Sequence, residues 1–166
     1  MDELRMPYFD FILDQVKTQD AVALGFGRHV HWGLWYDPSN ADGSAADFGR
    51  AAENMTRQVC VHAGIRNGMR LLDAGCGFGG TVASLDERHE GMDFVGLNID
   101  GRQLQRAREI VRSGRGNRIE FVAGDACSLP FEDASFDSVL AVECVFHFPS
   151  RQRFLEEAFR VLKPGC

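Results

Sequence analysis

The sequence lacks the features of a membrane or secreted protein. No apolar stretch approaches the roughly 18 residues that a membrane-spanning helix needs. The first residues, MDELRMPYFD, are acidic and aromatic, whereas a targeting segment is basic and apolar at its start. Internal repeats and low-complexity tracts are absent as well. The 166 residues, of which 45% are hydrophobic, therefore predict one globular, cytoplasmic domain without a membrane partner.

The sequence also lacks the cysteine pattern of a disulfide framework or a zinc knuckle. Its five cysteines are odd in number and form no CxxC pair. Two histidines, His29 and His31, lie close together in HVHWGLWY, but no acid or third histidine follows them at ligand spacing. We expect no metal in the protein, and a site at this histidine pair is kept as an alternative.

An excess of positive charge is missing too. The formal net charge of -6 argues against a surface that binds phosphate backbones. One basic cluster stands out, and most of it falls on a single predicted helix: Arg102, Arg106, Arg108, Arg112, Arg115 and Arg118. A solvated helix face explains this cluster, so no nucleic-acid partner is predicted.

Short apolar runs alternate with helical periodicity from residue 69 onward. Strands are predicted at MRLLDA (69–74), MDFVGLN (92–98), RIEFVAGD (118–125) and FDSVLAVE (136–143). Helices are predicted at 3–17, from a cap at Ser44 to Ala63, at 81–88, around 104–111, and from Ser150 to Pro164. Strands that alternate with helices indicate βαβ units and hence a parallel sheet.

We predict an α/β protein with a doubly wound, Rossmann-like parallel sheet and helices on both faces. Its apolar strands are typical of a sheet that is covered on both sides. Residues 1–43 are predicted to form a helical, aromatic lid segment, and residues 44–166 the ligand-binding core.

The stretch LLDAGCGFGG, residues 71–80, predicts where a ligand binds. Its glycines allow a tight turn after the first strand and a close approach to a ligand. The same glycines also satisfy G-x-G-x-x-G, so their spacing fits a dinucleotide equally well. Asp73 discriminates, because it would repel a pyrophosphate but form an ion pair with an ammonium group. It favours S-adenosylmethionine and leaves an NAD(P)-dependent oxidoreductase as the alternative.

From about residue 70 to its end, the sequence resembles the class I S-adenosylmethionine-dependent methyltransferases. LLDAGCGFGG is similar to their first motif, and VGLNID to the motif of their second strand. GDACSLPFEDASFDSVLAVE is similar to their third and fourth strands with the adenine pocket, and RVLKPG to the helix end before their fifth strand. The four motifs occur in the family's order and spacing.

The resemblance implies which residues bind the cofactor. They are Asp73, Gly75, Cys76 and Gly77 at the methionine part, Asn98, Ile99 and Gln103 at the ribose, Asp125 and Ala126 at the adenine, and Glu143. Leu129, Pro130 and Phe131 either wall the adenine pocket or pack within their loop. The sequence departs from the family at Asn98, where an acid usually takes both ribose hydroxyls. The Asn98 amide can still accept a hydrogen bond from one ribose hydroxyl while it donates a hydrogen bond to the other. Asp100 is a substitute candidate there, although a helix cap is its simpler role.

The resemblance also implies the chemistry. In similar small-molecule O-methyltransferases a histidine of the AVECVFHFPS stretch acts as base, so His147 is the predicted general base and Glu143 the second catalytic candidate. Packing of His147 between Phe146 and Phe148 is the alternative. The segment HVHWGLWY is similar to a lid whose aromatic rings contact the sulfonium. The predicted substrate is a small-molecule acceptor.

The last residues, RVLKPGC, lie where the family enters its fifth strand. We therefore expect a chain that is truncated before that strand and leaves an exposed edge on the fourth. Such an edge predicts oligomers. It also keeps open a non-catalytic, cofactor-binding fragment or split subunit as an alternative function.

Overall fold

The computed structural model describes residues 7–18 and 25–165 of the protein. Its main helices are α1 (Pro7–Thr18), α2 (Ala45–His62), α3 (Gly80–Asp86), α4 (Gly101–Ile110) and α5 (Arg151–Val161). Its strands are β1 (Arg70–Ala74), β2 (Asp93–Asn98), β3 (Arg118–Ala123) and β4 (Ser138–Leu140). Within the two described ranges, no helix combines the length and the apolar character that crossing a bilayer requires.

The four strands form one parallel sheet in the order β3-β2-β1-β4. The order reverses at β1, so β1 and β4 separate at their carboxyl ends and leave a crevice there. The register pairs Leu72 with Val95 and Leu71 with Ser138. The predicted doubly wound, parallel architecture is confirmed.

The sheet is buried on both faces, as its apolar strands predict. Successive side chains of a strand point to opposite faces, so the neighbours Leu71 and Leu72 belong to two different cores. Leu72 packs with Phe154 of α5 on one face, and Leu71 packs with Leu85 of α3 on the other. The strand that precedes the glycine loop is therefore fixed by packing on both of its faces.

Polar caps fix where the helices begin. The Ser44 hydroxyl accepts a hydrogen bond from the Asp47 amide at 3.1 Å, and Ser150 caps α5 in the same way. The Asp100 carboxylate accepts from the Arg102 amide at 2.9 Å. Asp100 is thus engaged as a helix cap, which supports that role over contact with a ribose.

The fourth strand is much shorter than predicted. The predicted range 136–143 forms a strand only at Ser138–Leu140. Phe136 instead makes an isolated parallel bridge with Leu162, and the Lys163 amide donates to the Phe136 carbonyl at 2.9 Å. The residues after α5 therefore cover the start of the predicted open edge. Pairing of chains through the rest of that edge stays a prediction.

The other element bounds differ little from prediction. Helix α3 covers Gly80–Asp86 where 81–88 was expected, and α5 ends at Val161. Residues 3–6 of the first predicted helix and Cys166 lie outside the described residues. Of the clustered arginines, four form ion pairs with carboxylates: Arg102, Arg106, Arg115 and Arg118. These pairs support the interpretation of the cluster as a solvated face.

Gly96 makes a close contact that the fold needs. A Cβ atom at this β2 position would lie 2.7 Å from Cδ1 of Phe121 and 3.0 Å from Sγ of Cys76. We expect Gly96→Ala to lower the free energy of unfolding by about 1–3 kcal/mol, as overpacked cores do. Urea denaturation followed by circular dichroism measures this change.

Gly101, the first residue of α4, is the matched control. A Cβ atom there would meet nothing within 4 Å, and alanine is the better helix former. Gly101→Ala should therefore leave stability unchanged or raise it by up to about 1 kcal/mol. Equal losses in the two variants would contradict the packing account.

Candidate active site

A cleft of about 720 Å³, counting the part open to solvent, lies at the carboxyl ends of the strands. It is bounded by the glycine loop, the end of β2, the start of α4 and the loops after β3 and β4. Most of the residues singled out in the sequence line it: Gly75, Gly77, Asn98, Ile99, Gln103, Asp125, Ala126, Glu143 and His147. Three of the four family motifs, together with the AVECVFHFPS stretch, thus meet at one place.

The two remaining candidates, Asp73 and Cys76, line a smaller cavity of about 280 Å³. The two cavities adjoin, because four residues line both of them: Val30, Gly75, Gly77 and Val142. The candidate site therefore has two parts that meet at the glycine loop.

Asp73 is a buried acid that has an unused acceptor. Its residue is 2% exposed, and its Oδ2 atom has no hydrogen-bond partner among the described residues. Burial raises the pKa of Asp73 to about 7. A carboxylate in such surroundings is unfavourable unless a cation pairs with it. The small cavity therefore suits a ligand that brings an ammonium group.

Asn98 and Gln103 form an amide pair beside the larger cleft. The Asn98 Nδ2 group donates to Gln103 Oε1 at 3.0 Å, and Asn98 Oδ1 accepts from the Asp100 amide at 3.2 Å. Gln103 Nε2 is buried without a partner in the described part of the chain. The free donor expected at Asn98 thus lies on Gln103, where it can meet a hydroxyl oxygen.

Asp125 and Ala126 lie in a tight turn after β3. The Asp125 carboxylate accepts from the Cys127 amide at 2.8 Å, and the Asp125 carbonyl accepts from the Ser128 amide at 3.0 Å. These bonds fix the carboxylate at the rim of the cleft. Leu129 belongs to the core instead, so its role is packing.

His147 ends a short 3-10 turn, Val145–His147. Its amide donates to the Cys144 carbonyl at 2.9 Å, and its half-buried imidazole lines the cleft. The ring lies 4.3 Å from the Phe146 ring, 5.8 Å from Tyr8 and 5.8 Å from Phe9, measured between centroids. His147 is therefore packed by aromatic rings and also faces the site.

Glu143 links the region after β4 to the N-terminal part of the chain. Its carboxylate accepts a hydrogen bond from the Trp32 amide at 2.7 Å. Its φ of 48° is uncommon for a residue with a side chain, and strain of this kind often occurs at functional sites. Glu143 thus lines the cleft and also holds the backbone of Trp32 near it.

The histidine pair is buried against α2. His29 Nε2 lies 2.9 Å from Glu53 Oε2, and His31 Nε2 lies 3.1 Å from Thr56 Oγ1. Burial, helped by the charge of Arg28, lowers the pKa of His29 to about 4, and burial also lowers that of His31. Both imidazoles are therefore neutral near pH 7. The described residues contain no group of three or more ligands that could hold a metal.

The aromatic wall of the cleft differs from the predicted one. The rings of Trp32 and Trp35 pack on Phe48 and do not line the cleft, whereas Tyr8 and Phe9 of α1 do. The sequence predicts a helix over this region but assigns neither Tyr8 nor Phe9 to the site. The sequence pattern of the predicted helix does not indicate which part of the sheet the helix packs against.

Comparisons with known proteins agree with this geometry. A family model described as a methyltransferase domain matches residues 72–166. Methyltransferase GfsG of Streptomyces halstedii is 40% identical over 150 residues, which cover 90% of this chain and 52% of that protein. O-methyltransferase resE of Aspergillus sclerotiorum is 32% identical over 145 residues, or 87% of this chain and 52% of that protein.

Other similar proteins act at carbon or in a different reaction. Sterol 24-C-methyltransferase ERG6A of Gibberella zeae is 42% identical over 147 residues, which cover 88% of this chain and 36% of that protein. The crystal structure of the (4+2)-cyclase SpnF superposes with a TM-score of 0.75 at 26% identity, covering 95% of this chain and 57% of that one. The chain spans about half the length of GfsG and resE.

The matched family model covers more than half of the chain, and the aligned segments include the glycine loop with Asp73. The family's cofactor is S-adenosylmethionine, which decides between the two ligands that the glycine spacing allows. The chain belongs to the class I S-adenosylmethionine-dependent methyltransferases.

Proposed function

We propose that this chain transfers a methyl group from S-adenosylmethionine to a hydroxyl of a small, partly apolar molecule. The observation that carries the proposal is the position of His147, which lines the same cleft as Gln103 and Asp125. One end of the cleft offers polar groups for a nucleoside. The other end offers a base within an aromatic wall.

The unpartnered atoms fit the proposed cofactor. Asp73 would pair with the ammonium of its methionine part, beside the backbone of Gly75, Cys76 and Gly77. The free Gln103 amide would donate to a ribose hydroxyl, with Asn98 and Ile99 beside it. Asp125 would accept from the adenine amino group, and the backbone N–H of Ala126 would reach the ring. Glu143 would act by holding the neighbouring segment.

We assign residues 1–43 to a lid and residues 44–166 to the core. Two contacts of the described part support this division: Trp32 donates to Glu143, and Val30 packs against the backbone of Gly77. The first contact joins the N-terminal segment to the region after β4, and the second joins it to the glycine loop. A cover of this kind excludes water from the reacting groups.

The bound cofactor supplies a methyl carbon that is activated by a sulfonium. The task of the protein is to align the acceptor with that carbon and to remove the proton of its hydroxyl. His147 would take this proton on an imidazole nitrogen and release it to solvent through the open side of the cleft. Tyr8, Phe9 and Phe148 offer apolar surface to the acceptor.

Methyl transfer to carbon is the second candidate. The names of relatives include both O-methyltransferase and sterol 24-C-methyltransferase, so similarity alone does not choose between the two. A base at the aromatic end favours a hydroxyl, since an alkene has no proton to lose before the methyl group arrives.

Incubation with methyl-labelled S-adenosylmethionine and a panel of phenols, aliphatic alcohols and sterols separates the candidates. Label on carbon would contradict our choice, and binding of the cofactor without any transfer would favour the fragment alternative.

The buried Asp73 carboxylate predicts how cofactor affinity depends on pH. The free protein has an Asp73 pKa of about 7, and the ligand requires the ionised carboxylate. Affinity for S-adenosylhomocysteine should therefore fall up to about tenfold per unit as the pH drops below 7. It should also fall in more alkaline solution, where the ligand's own amino group loses its proton. Isothermal titration calorimetry from pH 5.5 to 10 measures both limbs.

The Asp73→Asn variant separates binding from stability. Loss of the ion pair should weaken binding by about 2 kcal/mol or more, roughly thirtyfold. The raised pKa means that the neutral carboxyl favours folding below about pH 4 and that this contribution is lost as the pH rises through 7. The variant should therefore gain stability relative to the natural protein between pH 4 and pH 8, by up to about 4 kcal/mol. Urea denaturation measures the difference in stability between the variant and the natural protein. A difference that does not change with pH would contradict a raised pKa of Asp73.

The proposed base, His147, is tested by substitution. His147→Gln keeps a polar side chain of similar size but removes the base, so label transfer to a hydroxyl acceptor should fall by about 10²–10⁴. Affinity for S-adenosylhomocysteine should stay within about twofold, because we place no cofactor contact on this side chain. Asp73→Asn is the matched comparison, since it should weaken binding of S-adenosylhomocysteine, whereas His147→Gln should not. Full transfer by His147→Gln would remove the proposed base.

A further inference from the structure

Two residues of α1 complete the aromatic end of the cleft. Tyr8 and Phe9 line it together with His147. The Tyr8 ring is stacked on the imidazole, with centroids 5.8 Å apart and an interplanar angle of 21°. The Phe9 ring meets the imidazole edge-on, at 5.8 Å and 63°. The imidazole is thus stacked on the ring of Tyr8 and is in edge contact with the ring of Phe9.

These rings hold the imidazole without help from a polar side chain. Within residues 7–18 and 25–165, the His147 side chain has ring contacts but no hydrogen bond. A histidine that acts as base is commonly oriented by a bonded carboxylate or carbonyl. Here the backbone of the 3-10 turn fixes the Cα position, and only ring packing limits rotation of the imidazole.

We propose that Tyr8 is a positioning residue for His147: its stacked ring fixes the plane in which the imidazole faces the acceptor. The proposal rests on the base assigned under the proposed function. Burial, together with the nearby Glu143 carboxylate, raises the pKa of Tyr8. The phenol therefore stays protonated at neutral pH and does not compete with His147 for the proton.

The test uses variants that separate the ring of Tyr8 from its hydroxyl. Tyr8→Phe keeps the stacked ring, whereas Tyr8→Ala and Tyr8→Leu remove it. Phe11 is the matched control, because it is an aromatic residue of the same helix that is 52% exposed and does not line the cleft. Tyr8 is itself 42% exposed, so its substitution should leave the fold intact, as thermal unfolding will check.

The first measurement needs no acceptor. Proton NMR of the histidine rings, with the His147 signals assigned by their loss in His147→Gln, reports the ring current of a stacked neighbour. The His147 signals should lie upfield in the natural protein, in Tyr8→Phe and in Phe11→Ala. They should move downfield in Tyr8→Ala and Tyr8→Leu. Unchanged signals in both of these variants would overturn the stacking.

The second measurement is label transfer to the acceptor identified in the panel. Tyr8→Ala should lose about tenfold or more in turnover, with affinity for S-adenosylhomocysteine unchanged and with recovery in Tyr8→Phe. Full turnover in Tyr8→Ala would overturn the positioning role even if His147→Gln is inactive. If His147→Gln is instead fully active, the base assignment fails, and with it the role of Tyr8 in catalysis, whatever the NMR signals show.

Discussion

The bare backbone of the glycine loop is the constraint on which the rest of the site depends. A Cβ atom at any of four positions would lie within 2.9 Å of another part of the chain. These positions and their neighbours are Gly75 with Cys144, Gly77 with Val30, Gly79 with Phe121, and Gly80 with the Arg28 carbonyl. The loop therefore brings together the N-terminal segment, β3 and the region after β4. Its glycines serve this convergence as well as the approach of a ligand.

This convergence ties the N-terminal segment to both cavities. Val30 lines both cavities and packs on Gly77, so a molecule that fills both cavities must contact it. Close by, Trp32 donates to Glu143, and the strained backbone of Glu143 leads directly into the turn that carries His147. The segment around Val30 is thus connected to the proposed base through Trp32 and Glu143.

Features encoded by neighbouring residues could be predicted from the sequence. The strand before Asp73, the glycines after it and the caps at Ser44 and Ser150 depend on local chemistry, and the structure has them as predicted. At the start of the predicted fourth strand, Phe136 bridges to Leu162 from far along the chain, and no local pattern reports such a bridge. The place of Tyr8 depends on how α1 packs on the sheet. Hydrophobic periodicity predicts that a helix has a buried face but not which loop that face meets.

Buried polar atoms without a hydrogen-bond partner indicate how a ligand would be oriented in the site. In the described residues, three buried side-chain atoms lack a hydrogen bond: Arg70 Nε, Asp73 Oδ2 and Gln103 Nε2. Arg70 Nε lies 3.1 Å from Asp93 Oδ2, so its charge is compensated although the geometry of a hydrogen bond is missing. The other two line the two adjoining cavities, one as an acceptor and one as a donor. Leaving such atoms unpaired costs stability, and a ligand with a cation at one end and a hydroxyl oxygen further along would satisfy both. Under the proposed function these two contacts would lie on either side of the sulfonium, one at the methionine part and one at the ribose.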